Sequence, residues 1–271
     1  MGRVAVLDRD ICKPKECGSL CVKFCPKVRT RVETIKFIEP EEAPVIAESL
    51  CTGCGICIKK CPFKAITIVN LPEELESDCS HRFGPNLFKL YRLPTPQAGL
   101  VTGLLGRNGT GKTTALRILA GDLRPNLGEF ASPPDWTGVI RHFRGSTLQA
   151  YFEGLSKGNL KVAYKPQYVD KIPKVAKGKV SKLLRATDEK GEMERLTDKL
   201  QLREITDRPI EVLSGGELQR VAIAATVSRN VDVYIFDEPS SHLDVAQRIR
   251  ASRIIRGLAG NDKMVIIAEH D

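Results

Sequence analysis

The sequence predicts an α/β fold preceded by a smaller α+β unit, and three observations carry that expectation. Eight of the nine cysteines lie between Cys12 and Cys61, in two tight runs flanked by short alternating segments. A glycine-rich loop, Gly106 to Thr113, follows the apolar run 99–105 and precedes a helix-like stretch, Thr114 to Leu119. Further on, the mostly apolar, strand-sized run 231–236 ends in two carboxylates, Asp237 and Glu238. Strand, loop and helix in that order are what a phosphate-gripping α/β domain requires.

At 271 residues the chain exceeds an average domain of ~100–200 residues, so at least two folding units are expected. A hydrophobic fraction of 42% supports a real core and excludes wholesale disorder. No apolar run approaches the ~18–20 residues of a membrane helix; 233–236 and 264–268 are strand-sized. The first residues show neither a signal-peptide h-region nor a transit pattern, so a cytoplasmic protein with no membrane partner is expected. The formal net charge of +9 is unevenly placed. Residues 141–182 hold ten Lys/Arg and two acids, Glu153 and Asp170, interleaved with Phe143, Tyr151, Phe152, Tyr164 and Tyr168. A belt this long and biased favours an anionic partner, nucleic acid, over a merely solvated face.

The first cysteine run is Cys12-x4-Cys17-x3-Cys21-x3-Cys25-Pro26; the second is Cys51-x2-Cys54-x2-Cys57-x3-Cys61-Pro62. In a reducing compartment such runs are metal ligands rather than disulfides. The second matches the bacterial ferredoxin run for a 4Fe–4S cluster, proline included, whereas the first departs from that spacing. In two-cluster ferredoxins the fourth cysteine of each run serves the other cluster. Applied here, Cys51, Cys54, Cys57 and Cys25 hold one 4Fe–4S cluster, and Cys12, Cys17, Cys21 and Cys61 hold the second. Gly53 and Gly55 let backbone N–H groups approach the sulfurs. Alternating runs at 4–7, 34–38, 44–47 and 65–69 read as strands of two pseudo-repeated halves, a ferredoxin-like arrangement. The competing reading is a pair of four-cysteine zinc sites, although zinc ribbons separate their knuckles by longer loops. Residues 1–72 carry twelve basic and eight acidic side chains. Clusters of about −2 each would offset that excess, so this part is not counted toward nucleic-acid binding. Four acids between Glu73 and Asp78 mark a linker at 73–80, with domains at 1–72 and 81–271.

In the second part, residues 106–113 fit the phosphate loop G-x-x-x-x-G-K-S/T. Asn108, Gly109, Gly111, Lys112, Thr113 and Thr114 are candidate nucleotide-binding residues: backbone N–H groups cradle phosphates, Lys112 reaches the terminal ones, and Thr113 ligates Mg²⁺. Asp237 suits the Walker-B partner of Mg²⁺, and Glu238 is placed to orient or deprotonate a water. Gln167 is a candidate for both metal and water, and His270 follows the apolar run 264–268.

Leu213-Ser-Gly-Gly-Glu-Leu-Gln-Arg220 resembles the signature of ATP-binding-cassette ATPases. Ser240 to Asp244 then resembles the D-loop and Glu269-His270-Asp271 the His switch, all in family order. The resemblance implies that Ser214, Gly215, Gly216 and Asp244 serve a nucleotide held in the Walker site of a different cassette. Twin cysteine runs joined to a cassette, with Phe88-Lys-Leu-Tyr-Arg-Leu-Pro94, Lys165-Pro-Gln-Tyr-Val-Asp-Lys-Ile-Pro-Lys174 and Phe236-Asp-Glu-Pro-Ser-Ser-His-Leu-Asp244, are similar to the iron–sulfur ABC-type ribosome-recycling factors of archaea and eukaryotes, the ribonuclease L inhibitor family. The likeness covers all 271 residues. It implies a first cassette incomplete at its C-terminus, a missing second cassette, and a helix–loop–helix insertion at about 134–164. Phe83, in His81-Arg82-Phe83-Gly84, stands where a family tyrosine stacks on adenine. The resemblance further implies ribosome splitting after termination by ATP-driven cassette closure coupled to the cluster domain, followed by small-subunit binding at translation initiation. Its partners are the small subunit and ribosomal RNA, a release factor or its rescue homologue, and the second cassette; its cofactors are two 4Fe–4S clusters, ATP and Mg²⁺. The alternative is an ATP-gated iron–sulfur redox or cluster-handling ATPase. Only 99 residues separate Thr113 from Leu213, which excludes a long coiled-coil repair ATPase.

Overall fold

The computed structural model describes residues 2–37, 43–48, 50–71, 78–84 and 87–270. The chain divides into two compact units, residues 1–92 with 126–133, and residues 93–125 with 134–271.

In the first unit, strand β1 (Gly2–Leu7) leads into three single-turn helices, α1 (Pro14–Cys17), α2 (Leu20–Lys23) and α3 (Pro26–Arg29). Pro14 and Pro26 open α1 and α3, where a fixed φ suits the helix and the missing N–H goes unused. Strands β2 (Ile35–Lys36) and β3 (Val45–Ile46) pair antiparallel. Helix α4 (Ile56–Lys60) then precedes β4 (Ile66–Leu71), which returns antiparallel along β1 from Leu7↔Ile66 to Gly2↔Leu71. These strands occupy the four alternating runs read from the sequence, with Ile38 outside the described residues. Ala5, Ile35, Ile46 and Ile66 form the core together with Cys21, Cys25 and Cys57.

The unit continues past the compositional break. Strands β5 (Cys79–Arg82) and β6 (Lys89–Tyr91) pair antiparallel. The half-buried Glu48 carboxylate accepts from Arg82 Nη2 at 2.8 Å and from Lys89 Nζ at 2.6 Å, joining this pair to the cysteine region. Asn126 acts as a strand edge: its Oδ1 accepts from Arg82 N at 2.8 Å and its Nδ2 donates to Arg82 O at 2.6 Å. Leu127 N donates to Ser80 O at 3.1 Å. The expected linker at 73–80 therefore differs from the structure: Cys79 and Ser80 open β5, and residues 81–92, expected in the cassette, group with the first unit. Residues 73–77 of that linker lie outside the described residues.

The second unit contains β7 (Val101–Leu105), α5 (Lys112–Ala120), α6 (Trp136–His142), α7 (Thr147–Ser156), β8 (Val162–Lys165), α8 (Ile172–Val175), α9 (Val180–Thr187), α10 (Met193–Lys199), α11 (Gly215–Val227), β9 (Val233–Asp237), α12 (Val245–Leu258) and β10 (Met264–Glu269). Its sheet is parallel with strand order β7-β10-β9-β8. Every residue of β9 is buried, the near-continuous apolar run that a covered parallel strand needs. Capping boxes open α11 (Ser214 with Glu217) and α12 (Asp244 with Gln247), satisfying orphan N–H groups at both helix starts. The α/β unit expected from the sequence is thus present, its sheet parallel, and ligand loops fall at the carboxyl ends of its strands.

The segment 134–164 holds α6 and α7 joined by residues 143–146. Asp135 caps α6 by accepting from Gly138 N at 2.8 Å. Phe152 is fully buried against Trp136 and Phe143, with ring centroids 6.1 and 5.1 Å away. Tyr151 Oη donates to Leu119 O at 2.6 Å, fastening α7 to the last turn of α5. The helix pair ends at Ser156, and Val162 to Tyr164, expected inside the insertion, belong to β8 because they pair with β9. No helix among the described residues is long and apolar enough to cross a membrane.

Phe152→Ala leaves a cavity under both helices and should cost about 3–5 kcal/mol of stability. A urea titration followed through Trp136, the only tryptophan, reads this as an earlier local transition.

Candidate functional site

The fold gathers the cysteines into two quartets. Cys12, Cys17, Cys21 and Cys61 line one small cavity; Cys25, Cys51, Cys54 and Cys57 line another. The crossing-over of Cys25 and Cys61 has a local cause. Each precedes a proline, which drives the preceding residue out of the helical region. Cys25 accordingly sits at φ −68°, ψ 122° and Cys61 at φ −78°, ψ 110°, each leaving its own run in an extended conformation. Gly53, at φ +61°, passes so near β1 that a Cβ would stand 2.5 Å from Arg3 O. That approach brings Gly53 N to 3.4 Å and Ala5 N to 3.5 Å from Cys51 Sγ.

All nine cysteines are free thiols. Burial, reinforced by neighbouring cysteines, pushes the Cys21 thiol up to about 11 and the Cys12 and Cys57 thiols upward as well. A cationic core, which is what cluster iron would supply, offsets that penalty. Two sets of four thiols, one with backbone N–H groups beside the Cys51 sulfur, form a donor set that fits 4Fe–4S clusters. Cys79 is buried in β5 and belongs to neither ring.

In the second unit the phosphate loop joins β7 to α5. Gly109 at φ +79° and Gly111 at φ +93° adopt left-handed backbone that side-chain-bearing residues avoid. Lys112 Nζ donates to Gly106 O, to Arg107 O at 3.0 Å, and lies 3.4 Å from His270 Nδ1. Asp237, wholly buried, accepts from Thr113 and, at 3.3 Å, from Tyr164 Oη. Burial nonetheless pushes its carboxyl above the usual range. Its Oδ1 has no partner among the described residues, an orphaned acceptor beside Thr113 that suits a divalent cation.

Glu238 is the convergence point. Its Oε1 accepts from Gln167 Nε2 at 2.7 Å and lies 2.5 Å from His270 Nε2; its Oε2 accepts from Ser241 Oγ at 3.2 Å. Three side chains from separate parts of the sequence thus orient one carboxylate, the arrangement a water-activating base requires. Ser214, Gly215 and Gly216 stand at the start of α11. Ser214 bonds Glu217, and Cβ atoms at the two glycines would meet His242. Asp244 Oδ1 accepts from Gln247 N at 2.8 Å.

A family model described as ABC transporter matches residues 95–241, more than half the chain. The chain belongs to the ABC ATPase family. Models for a 4Fe-4S binding domain and for a possible Fer4-like domain in RNase L inhibitor match residues 44–67 and 2–33, placing this ABC ATPase in the iron–sulfur E subfamily. It is 51% identical to "ABC transporter E family member 1" of Arabidopsis thaliana over 269 residues, 99% of this chain and 45% of that protein. It is likewise 51% identical to "Translation initiation factor RLI1" of Saccharomyces cerevisiae over 274 residues, 99% of this chain and 45% of that protein. A model of ribosome-bound archaeal Pelota and ABCE1 superposes with TM-score 0.85 at 53% identity, covering all of this chain and 45% of its counterpart. A crystal structure of archaeal ribosome recycling factor aABCE1 with stalk protein aP1 superposes with TM-score 0.70 at 55% identity, covering 73% and 38%. The chain spans about 45% of the length of the curated relatives it matches.

Within this ABC ATPase, Glu238, Gln167, His270, Lys112, Thr113 and Asp237 share one site. Phe83 lies in the first unit, its half-exposed ring edge-on to His81 at 4.8 Å between centroids. Asn108 and Thr114 sit on the phosphate loop and the first turn of α5. Sequence reading missed four residues around the acidic pair. Lys165 donates from β8 to Asp237 O, and Gln219 from α11 to Glu238 O, both at 2.8 Å. Glu269 accepts from Ser240 N at 2.9 Å and Oγ at 3.0 Å, and Tyr164 reaches Asp237. Burial lowers Lys165 to about 8 against the pull of nearby Asp237, Glu269 and Glu238. A lysine ending a strand in a basic belt reads as a surface charge; only its burial distinguishes it.

Gly53→Ala forces β1 away from the second cysteine ring. The purified variant should carry less iron and weaker visible absorption per chain than the parent, read by iron assay and absorbance.

Proposed function

We propose that the chain is the N-terminal portion of an ATP-driven ribosome-recycling factor, with two 4Fe–4S clusters and one of two cassettes. The observation that carries this reading is the presence, in a single chain, of two crossed four-cysteine rings and a complete Walker, signature and switch constellation. The relatives that share the arrangement bear names tied to translation initiation and ribosome recycling.

Within the nucleotide site the roles follow from the contacts. Lys112 releases the Gly106 and Arg107 carbonyls to grip β- and γ-phosphates, while Thr113, Asp237 and Gln167 hold Mg²⁺. Glu238, aligned by Gln167 and His270, takes the proton of the attacking water, and Phe83 stacks on adenine. Ser214, Gly215, Gly216 and Asp244 face the nucleotide of the second cassette. ATP held between two such surfaces favours the closed state, and hydrolysis removes that bias. When bound, the clusters supply the cationic cores that keep eight thiolates ionised and the first unit rigid. That rigidity transmits cassette closure to the ribosomal subunits without electron transfer, and the small subunit stays bound afterwards. The belt at 141–182, which includes all of α7, contacts ribosomal RNA through phosphates. A release factor or its rescue homologue is the neighbouring partner, and the cytoplasm is the compartment.

Co-sedimentation with small ribosomal subunits tests the reading. Binding should require a non-hydrolysable ATP analogue and weaken steeply between about 50 and 200 mM salt; binding indifferent to both would exclude it. Alone, lacking a facing signature, the 271-residue chain should hydrolyse ATP at least about ten-fold more slowly than the two-cassette protein. Equal steady-state rates would count against the twin-cassette mechanism.

A further inference from the structure

We propose that Lys165 and Gln219 are positioning residues for hydrolysis: together they clamp the main-chain carbonyl of Glu238 and so aim its carboxylate at Gln167 and His270. The inference deepens the ATPase reading and rests on Glu238 acting on the attacking water.

The backbone at Glu238 explains why a clamp is needed. Glu238 adopts φ +48°, a left-handed conformation that a non-glycine residue keeps only when its surroundings over-determine it. It stands between Asp237, the last residue of the buried strand β9, and Pro239, which has no N–H to donate. Three donors meet its carbonyl oxygen: Gln219 Nε2 at 2.8 Å, Lys165 Nζ at 3.3 Å and Ser241 N at 3.3 Å. Lys165 Nζ also donates to Asp237 O at 2.8 Å, so one ammonium spans the two consecutive carbonyls at the turn.

Neither side chain is what packing alone would select. Lys165 is 1% exposed, and an ammonium in such a place is costly compared with an apolar side chain of equal length. Gln219 is 0% exposed on α11, and its Oε1 has no partner among the described residues. An amide kept in the core with its acceptor orphaned is held there for its donor. The two side chains also come from mechanically distinct places. Lys165 lies two residues before Gln167, and Gln219 sits in the helix that Ser214 of the signature opens. Both regions that sense nucleotide therefore end on the same carbonyl. A rotation of α11 changes the direction of the Glu238 carboxylate without touching it.

The test uses the full-length two-cassette protein and the variants Lys165→Met, Gln219→Met and Glu238→Gln, with ATP as the probe. Lys165→Met should lower kcat about ten-fold or more and Gln219→Met about three-fold or more, each with KM for ATP within about two-fold of the parent. In the Glu238→Gln background, where the carboxylate is gone, neither should change the single-turnover rate by more than about two-fold. A purely structural defect would raise KM as kcat fell, or would add in full to Glu238→Gln, and either result overturns the clamp. So does a kcat within about two-fold of the parent for the clamp variants. Should Lys165→Met fail to fold, Gln219→Met decides by the same criteria. If Glu238→Gln itself keeps more than about half the parental rate, the reading of Glu238 fails instead, a result distinct from neutral clamp variants beside an inactive Glu238→Gln.

Discussion

Charge at the end of a dry strand is the constraint around which the second unit is arranged. Burial on both faces makes β9 a rigid rail, and it ends by delivering Asp237 and Glu238 into a place with little water to solvate them. Uncompensated carboxylates there would be protonated or would pull the strand apart. Each is instead surrounded by donors, most of them far apart in sequence: Thr113 and Tyr164 on Asp237, and Gln167, His270 and the nearby Ser241 on Glu238. The phosphate loop, the β8 exit and the β10 exit are thereby fixed relative to one another by the chemistry they serve. Asp237 Oδ1, left without a partner among the described residues, is the carboxylate atom a metal would use.

The first unit solves a different electrostatic problem with backbone rules. Eight sulfurs, all but that of the exposed Cys54 in buried or half-buried residues, are brought together by two prolines that force Cys25 and Cys61 to extend, and by one glycine that admits close passage of β1. Little apolar core surrounds them; the sulfurs are themselves part of it. Holding such a small unit together through its inorganic contents is common where side-chain burial is limited.

How much of this was legible beforehand depends on whether the signal was local. The cysteine runs follow from spacing, their crossed quartets from the likeness to two-cluster ferredoxins, and the phosphate loop, β9, β10 and α5 from glycine pattern and apolar period. The unit boundary did not follow, because it is set by Glu48 reaching Arg82 and Lys89 and by Asn126 standing in for a strand. Those contacts join residues 34 to 44 positions apart and leave no periodic trace. Lys165 and Gln219 were hidden for the opposite reason. Their chemistry is ordinary, and only the packing of β8 and α11 against the β9 exit converts a lysine and a glutamine into interior donors.

The bond from Tyr151 Oη to Leu119 O deserves its consequence spelled out mechanically. It rivets the back of the phosphate-loop helix to the aromatic hub of the α6–α7 pair, and Gly121 lets Leu155 lie flush against the same turn, where a Cβ would come within 3.3 Å. With hydroxyl, carbonyl and leucine interlocked at one turn, axial play in α5 has nowhere to dissipate. A displacement of that turn of α5 would therefore carry α7 with it.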